Sequence, residues 1–184
     1  MSRQGDYVVD GGVALITGAA SGIGAALAER LVRDGSNLAL VDRNEEGLHE
    51  VAERLRVRRP DRRITVMVAD LAAESTPAEV VERSLAENGG LTLVVNNAGV
   101  ALAGRFEQVS VADVDWLLAI NLRSVLAVTS AALPHLSPGS HITNVSSLFG
   151  NVAPVGNAVY SASKFGVRGF SMSLRTELAP RGIG

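Results

Sequence analysis

Five short apolar runs, Val13–Thr17, Asn37–Val41, Ile64–Val68, Leu91–Val95 and His141–Val145, recur along the chain with longer helix-like stretches between them. Most are apolar almost throughout instead of alternating, the pattern of strands buried on both faces of a parallel sheet. Parallel neighbours need crossovers, and the stretches between have room for helices. Leu48, Val51, Ala52 and Leu55 repeat at helical spacing, as do Val114, Leu117, Leu118, Asn121, Leu122, Val125 and Leu126. Thr76-Pro77-Ala78-Glu79 sets a cap, a first-turn proline and a capping-box glutamate in register, and Ser110-Val111-Ala112-Asp113 is a weaker version of it. Strand–helix alternation on this scale specifies an α/β doubly wound parallel sheet.

Composition narrows the class. At 184 residues and 47% hydrophobic, the chain has material for one core and one domain, read as residues 13–184 behind a flexible N-terminal extension, 1–12. The start carries Asp6 and Asp10 and has no apolar core, so it does not read as a signal peptide. Cysteine is absent, which excludes disulfides, a thiol nucleophile and thiolate metal sites. A formal charge of −2 gives no global field for nucleic acid, and no uncharged apolar run is long enough to span a bilayer. The expectation is a cytoplasmic protein with neither a nucleic acid nor a membrane as partner. Residues 54–63 hold six Arg and one Asp. That run reads either as an anionic-partner patch or as a solvated helix end, and the lack of interleaved aromatics favours the second.

The first apolar run leads straight into Thr17-Gly18-Ala19-Ala20-Ser21-Gly22-Ile23-Gly24 and then a helix through Leu27 and Leu31. Glycines there let the backbone approach a pyrophosphate, whose charge a helix N-terminus favours. A tight turn uses Gly for steric reasons alone; the strand before it and the helix after it supply the functional context. The other strand ends carry Asp42, Asp70, Asn96-Asn97-Ala98-Gly99 and Ser146-Ser147. Each alone could be a cap or a turn. Together they line the carboxyl edge where open parallel sheets bind ligands. Asp42, about twenty residues past the loop, stands where an acid holds ribose hydroxyls.

Lys164 is the only lysine, every other basic position being Arg, and Tyr160 is one of two tyrosines, with Tyr7. Four residues apart, Tyr160 and Lys164 share one helix face. An incidental aromatic and a snorkelling lysine is the bland alternative. A free phenol, with a pKa of about 10, is a poor proton carrier at neutral pH. One positive charge at ~4–5 Å with an effective dielectric of ~20 is worth roughly 3–4 kcal/mol to a phenolate, enough to move a phenol towards working range. Ser161 and Lys164 also match a Ser-x-x-Lys pattern of penicillin-interacting enzymes, but the second lysine such sites need is missing. His49, His135 and His141 fall on separate elements without ligand spacing, so no metal is expected.

With Thr17–Gly24, Asp70-Leu71, Asn96–Gly99, Asn121, Ser147 and Tyr160-x-x-x-Lys164 in one chain, residues 13–184 resemble a single-domain short-chain dehydrogenase/reductase. The resemblance implies a Rossmann-like sheet of strand order 3-2-1-4-5. It implies hydride transfer between a nicotinamide cofactor and a small-molecule alcohol or carbonyl compound. Ser147, thirteen residues before Tyr160, would bind the substrate oxygen and Tyr160 would carry the proton. Lys164 would bind ribose and tune Tyr160, and Asn121 would hold a water extending the relay. Gly18, Ser21, Gly22, Ile23, Gly24, Asp42, Arg43, Asp70, Leu71 and Asn97 would join Tyr160 and Lys164 in holding the cofactor. Asp42 would repel a 2′-phosphate, which favours NAD over NADP, with Arg43 the complication. A homodimer or homotetramer is expected on the helix from about Val111 to Leu133, apolar almost all round. Family members continue through further strands, so the active protein is expected to run past Gly184, and residues 1–184 alone to aggregate. The alternative is a catalytically silent nucleotide-binding scaffold. Phe149, Val152, Pro154 and Val155 near the site suggest an apolar-bodied substrate and no more.

Overall fold

β1 (Val13–Thr17) is buried at all five positions, because it lies in the middle of the sheet and both of its faces are covered. A computed structural model describes residues 8–184. Among these, β2 (Asn37–Asp42), β3 (Ile64–Val68), β4 (Leu93–Asn96) and β5 (His141–Asn144) complete a parallel sheet ordered β3-β2-β1-β4-β5, the expected order. β4 begins two residues later than the apolar run: Thr92 instead exchanges bonds with Val13 through its hydroxyl, at 2.8 and 3.2 Å.

Alternate residues of each strand feed two cores. Ala14, Ile16, Leu38, Leu40 and Val95 face α1 (Gly22–Arg33) and α2 (Glu45–Arg58), where Ala28, Leu48 and Leu55 meet them. Leu15, Ala39, Val41 and Val94 face α3 (Thr76–Asn88), α5 (Ser124–Ala132) and α6 (Ala158–Leu178), through Val81, Val128 and Leu178. Burying so many branched side chains at ~25 cal/mol per Å² supplies most of the driving force for the fold.

One helix start differs from expectation and another agrees with it. Ser75, not Thr76, precedes α3, and its side chain makes no capping bond. The weaker-looking signal is the working cap: Ser110 Oγ accepts from Asp113 N at 3.1 Å and donates to Asp113 Oδ2 at 2.6 Å, opening α4 (Val111–Leu118). α4 passes into α5 through a π turn, Ala119–Arg123. An 18-residue window of the continuous helix Val111–His135 has a mean hydropathy of 1.5, which makes it long and apolar enough to cross a membrane by length and composition alone. Asp113, Asp115 and Arg123 interrupt its apolar run without breaking the helix. In this structure the helix packs on α3 and β4.

Residues 1–7 of the expected extension, with Tyr7, lie outside the described residues. Val9–Gly12 are tied down: Gly11 N donates to Gly35 O at 3.1 Å, and Ser36 Oγ to Val9 O at 2.8 Å. The arginine-rich run has partners inside the molecule. Arg59 reaches Val32 O and Arg33 O at the end of α1, at 3.1 and 2.7 Å, and Arg62 reaches Gly35 O at 2.6 Å and Asp10 at 3.3 Å. Arg63 takes Glu87 O at 2.7 Å and Arg58 pairs with Glu29. Arg56 and Arg83 donate to Ile64 O and Val66 O at 2.8 and 3.2 Å, capping carbonyls of β3, an edge strand. At the other edge Gly184 N donates to Ser140 O and Gly184 O accepts from Ile142 N, at 2.9 and 2.8 Å. That is the pattern of one parallel bridge to His141.

Candidate active site

The carboxyl ends of β1, β2, β3, β4 and β5 open on a cavity of about 460 Å³. Gly18, Ser21, Gly22, Ile23, Asp42, Arg43, Asp70, Leu71, Asn97, Tyr160 and Lys164 all line it, so nearly the whole expected cofactor set is brought together. Gly24 lies behind the wall. A Cβ there would stand 2.1 Å from Gly18 O, so this glycine is required by the close approach of α1 to the loop. Gly18 and Gly22 have φ of +67° and +54°, the left-handed region that glycine adopts without strain.

Side chains lock this loop to its neighbours. Thr17 Oγ1 accepts from Asn97 N and Ala98 N at 3.0 and 3.1 Å. Asn97 Nδ2 returns bonds to Thr17 O and Gly18 O, both at 3.0 Å. Asp42 is held from two sides: Oδ2 accepts from Ala20 N and Oδ1 from Asn44 N, each at 3.0 Å. A carboxylate has about four acceptor positions, so hydroxyl donors can still be bound there. Asp70 Oδ1 accepts from Ala72 N at 2.9 Å and sets the turn after β3.

α6 brings Tyr160 and Lys164 to the cavity on one face, and Lys164 Nζ sits 5.9 Å from the Tyr160 ring centroid. Lys164 is 5% exposed, and its Nζ donates to Val145 O at 3.0 Å. Burial holds its pKa below the usual lysine value of 10.5. An ammonium has three hydrogens, so two remain for other acceptors. The Phe149 ring stands edge-on to Tyr160 at 6.0 Å. Ser147 Oγ accepts from Phe149 N at 3.1 Å, which leaves its own proton free to be donated. Ser147 is not part of the cavity wall. Ser146 is, with its Oγ turned back to Lys164 O at 3.1 Å.

Asn121, expected to hold a water, is fully buried in the π turn and is not in the cavity wall either. Its carboxamide exchanges bonds with Val100 N and Val100 O, both at 2.8 Å, and donates to Ser163 Oγ at 3.3 Å. Both Nδ2 hydrogens are therefore committed to the protein. Asn121 and Lys164 both crowd Gly99: a Cβ there would come within 3.3 Å of Asn121 Oδ1 and 3.5 Å of Lys164 Nζ. Sequence reasoning missed Ser163 and Gly150. A Cβ at Gly150 would stand 2.6 Å from Ser146 Oγ and 2.9 Å from Lys164 O, so glycine lets this turn seat on α6. The one available signal was that Gly150 follows the Ser146-Ser147 strand end so closely. Among the described residues, no group of three or more His, Asp and Glu is placed to hold a metal.

The cradle of glycines, the braced Asp42 and the buried ammonium fit a nicotinamide dinucleotide, and comparison with known proteins agrees. The short chain dehydrogenase family model matches residues 12–184. D-threitol dehydrogenase of Mycolicibacterium smegmatis is 40% identical over 186 aligned positions, covering 100% of this chain and 70% of that protein. A short chain dehydrogenase from Burkholderia cenocepacia J2315, solved with NADP, superposes with a TM-score of 0.91 at 34% identity over 95% of this chain and 71% of its own. A short chain dehydrogenase/reductase from Burkholderia phymatum, solved with NAD, gives 0.92 at 28% identity over 97% and 64%. Sheet order, glycine cradle and family match coincide, and the chain belongs to the short-chain dehydrogenase family of oxidoreductases.

Proposed function

We propose that this chain transfers a hydride between NAD(H) and an alcohol/carbonyl pair, with Tyr160 as general acid/base. The observation that carries this reading is the meeting of Tyr160 and buried Lys164 in one cavity with the glycine loop and Asp42. When bound, the nicotinamide supplies the hydride acceptor or donor. The protein's residues do the rest. In oxidation Tyr160 Oη takes the alcohol proton, and in reduction it returns one to the carbonyl oxygen. Ser147, whose hydroxyl already accepts from Phe149 N, donates its hydrogen to that same oxygen. Lys164, beside the Tyr160 ring, offers its remaining hydrogens to ribose hydroxyls. Phe149, whose ring stands edge-on to Tyr160, is an apolar neighbour that suits a substrate with an apolar body.

NAD is the preferred cofactor in this reading. Asp42, fixed by two backbone amides, accepts from ribose hydroxyls, whereas a 2′-phosphate offers only acceptors and negative charge. The repulsion is worth roughly 3 kcal/mol per charge at ~5 Å and a dielectric of ~20. Arg43, in the same wall, is the one group that could offset it. The working form in this reading is a homo-oligomer joined through the helix Val111–His135. The test of the function is absorbance at the reduced-nicotinamide band with a panel of secondary alcohols and ketones. Tyr160→Phe should abolish turnover and leave dinucleotide affinity nearly unchanged; undiminished turnover removes Tyr160 from the mechanism.

A further inference from the structure

Ser163 is fully buried, directly precedes Lys164, and has no part in the mechanism above. Its Oγ donates to Tyr160 O at 2.7 Å and accepts from Asn121 Nδ2 at 3.3 Å. The orientation of the Asn121 carboxamide is dictated by Val100: reversed, it would set N–H against N–H and oxygen against oxygen. That pairing uses one Nδ2 hydrogen, and Ser163 Oγ is the acceptor for the other. A mid-helix serine that bonds back to a carbonyl one turn earlier directs its lone pairs away from the helix. Here they face Asn121.

We propose that Ser163 is a positioning residue for proton transfer, acting through Asn121; the proposal rests on the oxidoreductase reading above. The π turn breaks the regular helix ladder exactly where Asn121 sits, so its place against α6 is set by side-chain bonds. Two of those bonds go to Val100, in the loop after β4, and the third goes to Ser163, on α6. Without the Ser163 hydroxyl, a buried N–H has no acceptor, and the carboxamide must turn away from Val100 to find one. Asn121 Oδ1 and Lys164 Nζ both crowd the same side-chain position of Gly99, so such a turn disturbs the surroundings of Lys164.

The experiment compares wild type, Ser163→Ala and Ser163→Thr in the full chain, each also in an Asn121→Ala background. Ser163→Ala should lower kcat by about tenfold to a hundredfold, the scale of a small misplacement of catalytic groups, with dinucleotide Kd unchanged. The solvent isotope effect on kcat should rise as proton transfer becomes limiting. Ser163→Thr, which keeps the hydroxyl, should recover most of the loss. In the Asn121→Ala background the Ser163→Ala effect should vanish. Independently of turnover, the Asn121 side-chain protons of protein labelled with 15N-asparagine should exchange slowly in wild type and fast in Ser163→Ala. Unchanged kcat, or an equal loss with and without Asn121, overturns the proposal. A wild-type chain that binds dinucleotide but turns over no substrate overturns the oxidoreductase reading and takes this role with it. Turnover in wild type with neither kcat nor exchange responding to Ser163→Ala overturns the Ser163 role alone.

Discussion

Lys164 and Asp42 each bring one ionisable group to the wall of this cleft. Lys164 keeps its ammonium in a buried place that favours the neutral form, so its folded pKa lies below the unfolded value of 10.5. Between those two values the unfolded chain binds more protons, and stability must rise with pH across that window. Urea titrations should show this alkaline rise in wild type and a flatter profile in Lys164→Met, which has no proton to release. Asp42 makes a second prediction: dinucleotide titrations should give NAD tighter than NADP by about tenfold or more. Comparable dissociation constants would mean that Arg43 has turned over the phosphate. Tyr160 and Lys164 were legible in the sequence because the chain uses lysine once. Ser163 was not, since a small polar residue inside a helical motif looks the same whether it faces solvent or an asparagine.

At the scale of elements, sequence periodicity found the long helix and the middle of its buried face, but not the full width of that face. Of the expected stripe, Leu117, Asn121 and Val125 are buried, and Val114, Leu118 and Leu122 are half-buried. The structure also buries Ile120, Ser124, Val128 and Thr129, and it leaves Leu126 39% exposed. Polar pairing explains the difference. Asn96 Nδ2 donates to Thr129 Oγ1 at 3.0 Å, and Ser124 Oγ to Ile120 O at 2.5 Å, so hydroxyls sit in the core with their bonds made. A hydropathy pattern cannot see that compensation. Leu126 and Trp116, which the helix leaves exposed, lie on the surface proposed to join subunits. Leu126→Glu should therefore shift the protein to monomer in sedimentation velocity, and a wild type already monomeric at micromolar concentration would refute the interface. The strands were placed nearly to the residue because runs buried on both faces carry no competing pattern.

Across the whole molecule, the two ends of each strand have different work. Glycine loop, Asp42, Asp70 and Asn97 gather at the carboxyl ends. Arg59, Arg62 and their partners Val32, Arg33, Gly35 and Asp10 gather at the amino ends of β1, β2 and β3. Five residues at ~3.3 Å each separate the two groups by roughly 16 Å, beyond the range where substitutions couple. Arg62→Ala, which leaves Gly35 O without its guanidinium, should cost roughly 1–2 kcal/mol of unfolding free energy. Calorimetry should show the lower melting temperature, and dinucleotide titration an unchanged Kd. Heritable variation can then act on this molecule along two nearly independent axes. A lineage adapting to a hotter habitat can trade arginines at one pole while its chemistry is inherited intact, and a lineage acquiring a new substrate can remodel the opposite pole without losing thermal tolerance.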